Sequence, residues 1–239
     1  MELPQPPPDQ PPPPPDREAM RLRRKASRIW WLGGISIAFC LLVLLTPPVI
    51  LKSAKAAPRT EALNNIKQIG MLLFEFDNEY GSFPDTDTAI DVKEETKTPL
   101  TLGNHSSNQL FRQLLVGCGP GTGERPFWAK TAHSRKKPDN IFTTDATALA
   151  RGECAFGYIA GLSSSGDPST PVVFTPVVRG KHLFDPDAFN GFAIILHLDN
   201  SARPLPIDKH GHVIVNGMDI FDPRQPFWHG KSPDVKWPE

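Results

Sequence analysis

The chain has 239 residues with 26 basic and 26 acidic side chains, so its formal net charge is zero. That balance offers no polyanion-binding excess and argues against nucleic acid as a partner. Nine of its 27 prolines fall within the first 16 residues, and its three cysteines leave at most one disulfide outside the apolar run that holds Cys40.

Residues 1–28 read as a tail. Pro6-Pro7-Pro8 and Pro11 to Pro15 remove backbone donors and fix φ, so Met1–Asp16 is expected to be an extended polyproline II segment. It serves either as a ligand for a proline-binding module or as a solvated spacer. Arg17, Arg21, Arg23, Arg24, Lys25 and Arg28 follow. Ile29–Leu51 is uncharged, and at about 1.5 Å per residue it is long enough to cross a bilayer core as a helix. Beyond it stand only Lys52, Lys55 and Arg59. The positive-inside rule therefore predicts a single-pass membrane protein with a cytoplasmic N-terminus and an external domain.

Residues 52–84 then change from wholly apolar to amphipathic. Ala62, Ile66, Ile69, Leu73, Phe76 and Tyr80 recur at steps of three and four, which predicts one buried helical face. Gly81 and Pro84 end the helix. Leu63, Gly70 and Phe74 form a shoulder outside that face. Surplus apolar surface beside a glycine suits a neighbouring helix, so these three are the expected subunit contact.

The stretch Arg59-Thr60-Glu61-Ala62-Leu63-Asn64-Asn65-Ile66-Lys67-Gln68-Ile69-Gly70, closed by Tyr80-Gly81-Ser82-Phe83-Pro84, resembles the stem of bacterial pseudopilin-like proteins. These belong to type II secretion or type IV pilus-related systems, in the form found in Planctomycetes and Verrucomicrobia. The usual cleavage motif is missing, since Gly33-Gly34 is followed by Ile35 to Phe39 with no acid in the span. The resemblance implies an α+β, pilin-like fold, in which a membrane span continues into a stem helix packed on a small antiparallel β-sheet. It also implies a structural or assembly component of the bacterial inner membrane with a periplasmic domain, forming homo- or hetero-oligomers through the stem.

From residue 85 to 239 the pattern predicts a single α+β domain. Asp85–Pro99 reads as a surface loop, and Asn108–Val116 as a helix capped by Ser106 or Ser107. Cys118 to Gly123 is a turn-rich loop without a phosphate-binding signature. Lys130, Arg135, Lys136 and Lys137 surround His133 in a basic loop suited to acidic lipid or another protein, or simply solvated. Strands are predicted at 155–159, 172–175, 191–198, 202–207 and 212–215, as an antiparallel meander. The aromatics Phe227, Trp228 and Trp237 are expected to staple an irregular tail onto the domain.

Chemistry is sparse. The seven histidines lack zinc-type spacing. Asp185 and Asp187, with Asp199 or Asp208, are either calcium oxygens or turn formers. Ser163–Ser165 lacks a nucleophile elbow. Neither a catalytic residue nor a cofactor is expected. In an oxidising compartment Cys118 and Cys154 either pair or remain two buried thiols. The rival to an assembly component is a membrane-tethered periplasmic enzyme or ligand-binding domain using loops 118–150 and 161–170.

Overall fold

A computed structural model describes residues 31, 34, 36, 37, 57–119 and 121–239. The chain divides into two compact units, Met1–Lys52 and Ser53–Glu239. In the first unit residues 31, 34, 36 and 37 are helical and exposed. The proline-rich tail, most of the expected span and residues 52–56 lie outside the described residues.

The second unit opens with helix α1, residues 57–80. Its apolar face forms as the periodicity predicts: Ala62, Ile66, Ile69 and Leu73 are fully buried, and Phe76 nearly so. Lys67, Glu75 and Glu79 occupy the exposed side. The helix stops at Gly81, whose φ of 79° needs no Cβ-compatible backbone, and the Gly81 N–H donates to the Asp77 carbonyl at 2.8 Å.

Here the expected fold requires correction. No helix among the described residues is long and apolar enough to cross a membrane. α1 cannot serve as one, because charges punctuate it and its apolar face is already spent on the sheet. The pilin-like arrangement of a span running into a stem is thereby overturned. So are the membrane and transmembrane assignments and the placement as a single-pass inner-membrane protein with a cytoplasmic N-terminus and a periplasmic domain. Short helices and a five-stranded antiparallel sheet take its place.

Residues Thr88–Thr96 form helix α2 where a loop is predicted, burying only Thr88, Ala89 and Val92. Helix α3, Ser107–Gly117, begins where the sequence places it, with the Gln109 N–H donating to Ser106 Oγ at 3.3 Å. The sheet contains β1 (Gly157–Ala160), β2 (Pro171–Thr175), β3 (Phe192–His197), β4 (Ala202–Pro206) and β7 (Asp234–Lys236) in the order β4-β3-β2-β1-β7. Every pairing is antiparallel. Strands β5 (Ile214–Val215) and β6 (Met218–Asp219) form a separate ribbon around Asn216-Gly217, both at positive φ. The fifth strand of the expected meander is thus a hairpin of its own.

Both faces of the sheet are covered. Tyr158, Ile194 and Leu196 point toward the helices, while Ile159, Phe174, Ala193 and Ile195 join a second core with Val213, Ile220 and Phe227. This is the period-two alternation of a strand. A register shift between Pro171 and Val173 breaks it, which lets consecutive Val172 and Val173 both face the helix side. The β4 edge is blunted. The Ile207 N–H donates to the Gly191 carbonyl at 2.8 Å, so the odd positions aim inward and the outward positions 204 and 206 are prolines without donors.

Candidate functional site

The basic loop predicted from sequence forms one wall of a groove of about 460 Å³, and Glu61 and Gln68 of α1 form the other. The loop is irregular, so its shape depends on buried side chains that satisfy its backbone. Asn65, on the buried side of α1, donates from Nδ2 to the Trp128 carbonyl at 2.7 Å and the Arg125 carbonyl at 3.3 Å. Trp128 Nε1 donates to the Ser134 carbonyl at 3.2 Å, and Ser134 Oγ donates in turn to the Ala129 carbonyl. Pro126 is the second residue of the 3₁₀ turn Arg125–Phe127, which drops Phe127 into the core against Phe111 at 5.0 Å.

Two fully buried carboxylates fasten the far side of the loop. Glu124 Oε1 accepts from the Leu149 N–H at 2.6 Å, and the Glu124 N–H donates to Asn140 Oδ1 at 2.9 Å. Glu153 Oε2 accepts from the Ala150 N–H at 2.7 Å. Lys136 Nζ lies 2.6 Å from Glu153 Oε1, a close ion pair off the hydrogen-bond direction. Burial pushes Glu124 above the usual carboxylate range; the Leu149 amide opposes this and the Glu153 charge adds to it.

The groove surface itself is basic and aromatic. Residues 125–137 carry Arg125, Lys130, Arg135, Lys136 and Lys137 and no acid, and all five are exposed. Arg125 and Lys137 line the groove. Arg125 reaches Glu61 at 3.6 Å, yet its side chain remains 84% exposed. Lys137 Nζ sits 5.3 Å above the Trp128 ring, within cation–π range. The arrangement can hold an anionic, partly apolar segment by charge, cation–π contact and amide hydrogen bonds.

The residues singled out by sequence fall elsewhere. Cys118 and Cys154 are free thiols with separate partners. Cys118 Sγ points to the Leu72 carbonyl at 3.4 Å, while Cys154 Sγ lies near the Phe156 carbonyl and Ser107 Oγ. Burial pushes both thiols up to about 12, so neither is an activated nucleophile. The shoulder residues lie against the chain's own domain. A Cβ on Gly70 would meet Asn200 Oδ1 at 2.2 Å and Leu196 at 3.2 Å. Leu63 and Phe74 pack at the margin of the main core, Phe74 edge-on to Phe83 at 5.8 Å.

Asp185, Asp199 and Asp208 each accept backbone N–H groups within their own turns. His212 Nδ1 meets Asp219 Oδ2 at 2.6 Å. Among the described residues no group of three or more His, Cys, Asp or Glu side chains is placed to hold a metal ion. Ser164 Oγ donates to Asp77 Oδ2 at 2.5 Å, fastening its loop to α1. Sequence reasoning missed Asn65, Glu124 and Trp128. Only the interruption of α1's apolar face by Asn65 hinted at a buried amide. The chain matches no protein-family model, no curated protein and no solved structure.

Proposed function

We propose that the chain is a non-enzymatic assembly component whose groove between α1 and residues 121–140 holds an acidic segment of a protein partner. The observation that carries this reading is the set of five exposed cations in the acid-free run 125–137, of which Arg125 and Lys137 line a preformed groove with Trp128 in its wall. Preformed geometry lowers the ordering cost of binding, and rim charges chiefly supply steering and specificity.

The test is fluorescence anisotropy of a labelled Asp/Glu-rich peptide titrated with the full-length chain, against a Lys-rich peptide and anionic vesicles. We expect saturable, salt-sensitive binding of the acidic peptide. In the double variant Arg125→Ala, Lys137→Ala the affinity should fall roughly two- to thirtyfold, because an exposed pair contributes about 0.2–1 kcal/mol. Vesicle binding without peptide binding would overturn the reading, as would a double variant that binds like the parent.

A further inference from the structure

We propose that the cavity at the end of the β3–β4 hairpin binds a small zwitterion with an apolar side chain, of the free amino acid or dipeptide class. The cavity lies on the second face of the sheet, has a volume of about 370 Å³, and shares no lining residue with the groove. That volume falls at the small-ligand end of the usual range.

Strand alternation builds it. Arg203 and Leu205 stand on the same side of β4, across from Ile195 and Ala193, which belong to the second core. Leu205, Val215, Ile220 and Phe227 make an apolar floor. The rim carries both signs of charge: Arg203 on one strand, Asp199 in the adjoining turn and Asp167 on the loop that leads into β2. Arg203 is close enough to Asp199 and His197 to bias their protonation, yet it makes no ion pair with any described residue.

Asp199 Oδ1 accepts from the Ser201 N–H at 2.8 Å, and Asp167 Oδ1 from the Ser169 N–H at 2.8 Å and Ser169 Oγ at 2.9 Å, while the Ser201 side chain also helps hold Asp199 low. Their second oxygens are left for a ligand. Ser201 Oγ lines the same space, shielded from solvent and without a well-directed hydrogen bond. Opposite charges around an apolar floor match a ligand that carries a carboxylate, an ammonium and a hydrocarbon group. The carboxylate goes to Arg203 and Ser201 Oγ, the ammonium to Asp199 and Asp167, and the side chain to the floor. Burial also pushes His197 toward the neutral imidazole, so the wall adds no second cation to repel the ammonium.

The experiment is isothermal titration of the full-length chain with L-phenylalanine and L-leucine. Phenethylamine, which lacks the carboxylate, and hydrocinnamate, which lacks the ammonium, serve as controls. We expect saturable binding of the amino acids, with each control and each of Arg203→Gln and Asp199→Asn weaker by about tenfold or more, the loss of one charge-assisted contact. Arg203→Lys, which keeps the charge on an exposed edge position, should retain part of the affinity and shows whether loss in the glutamine variant reflects charge or folding. Absence of binding at millimolar amino acid would overturn the proposal, as would controls that bind as well as the zwitterions. Neither outcome bears on the groove, whose lining is separate.

Discussion

Each face of the central sheet carries a buried core, but the two are covered in different ways. On one face α1 and α3 lay periodic apolar stripes over Tyr158, Ile194 and Leu196. On the other, residues 177–184 and 207–228 cross Phe174 and Ile195 mostly as turns, one short ribbon and a 3₁₀ turn. The second cover relies on point anchors. Trp228 Nε1 donates to the Ile220 carbonyl at 2.8 Å, Gln225 Nε2 to the Val215 carbonyl at 2.8 Å, and Trp237 Nε1 to the Lys181 carbonyl at 3.0 Å. Rings do the rest, with Phe184 stacked on Phe221 at 5.6 Å and Phe174 edge-on to Phe221 at 5.1 Å. A helix distributes its burial over many turns, whereas an irregular cover concentrates it in a few aromatic rings and buried amides.

That contrast predicts different responses to the same deletion. Phe111→Ala removes a fully buried ring that touches both Phe127 and Tyr158. It should cost about 3–5 kcal/mol of global stability in urea unfolding. Phe221→Ala on the other face should show first as faster amide exchange confined to residues 213–228, with α1 still protected, because an anchored cover can open on its own. Loss of protection in both regions together would mean that the two covers form one cooperative unit.

The helix side can also be tested at its tightest approach. Gly70→Leu places side-chain atoms where Asn200 and Leu196 already sit, and overpacking of this kind costs about 1–3 kcal/mol. Unfolding of the full-length chain should shift by that amount at any protein concentration. A variant of unchanged stability but altered association would return Gly70 to the role of subunit contact with Leu63 and Phe74.

The same contrast explains what could be read from the sequence. Helices α1 and α3 carry strong periods, strands β2, β3 and β4 are apolar or turn-bounded runs, and clear end signals such as Ser106, Gly81 and the Asp199-Asn200 turn place them near where the pattern puts them. Helix α2 was hidden because Thr88, Ala89 and Val92 are too small and too few to register as an apolar stripe. Strand β7 was hidden because Asp234 and Lys236 frame a single buried Val235 and its order comes from pairing with β1. The groove showed itself only as a basic run. Its shape depends on Asn65, Glu124 and Glu153, polar residues whose burial no local pattern announces. Overall neutrality conceals that basic run, because 125–137 is offset elsewhere by acids such as Asp91, Glu94 and Glu95 on α2.

The smallest expected effect concerns protons, and it divides the two faces by sign. Glu124 lies on the helix side, and burial raises its folded pKa above the ordinary carboxylate value. Its neutral form is therefore the one that folding favours. The corresponding stability is fully present below the unfolded carboxylate pKa and is lost as pH rises through the folded value. Carboxylates in the turns of the second face behave oppositely. Asp208 is held low by the His212 amide, and Asp222 is held at about 2 by Arg224. Their contribution is present above the unfolded pKa and is lost as pH falls through the folded one. Whole-protein unfolding mixes these signs, so the useful quantity is the difference between the parent and Glu124→Gln, which keeps an acceptor for the Leu149 N–H. Measured by urea unfolding from weakly acidic to neutral pH, the parent's stability relative to the variant should fall as pH rises. A relative stability that rose with pH would mean that the ionised Glu124, through its bond from Leu149, is the form that holds loop 134–153 in place.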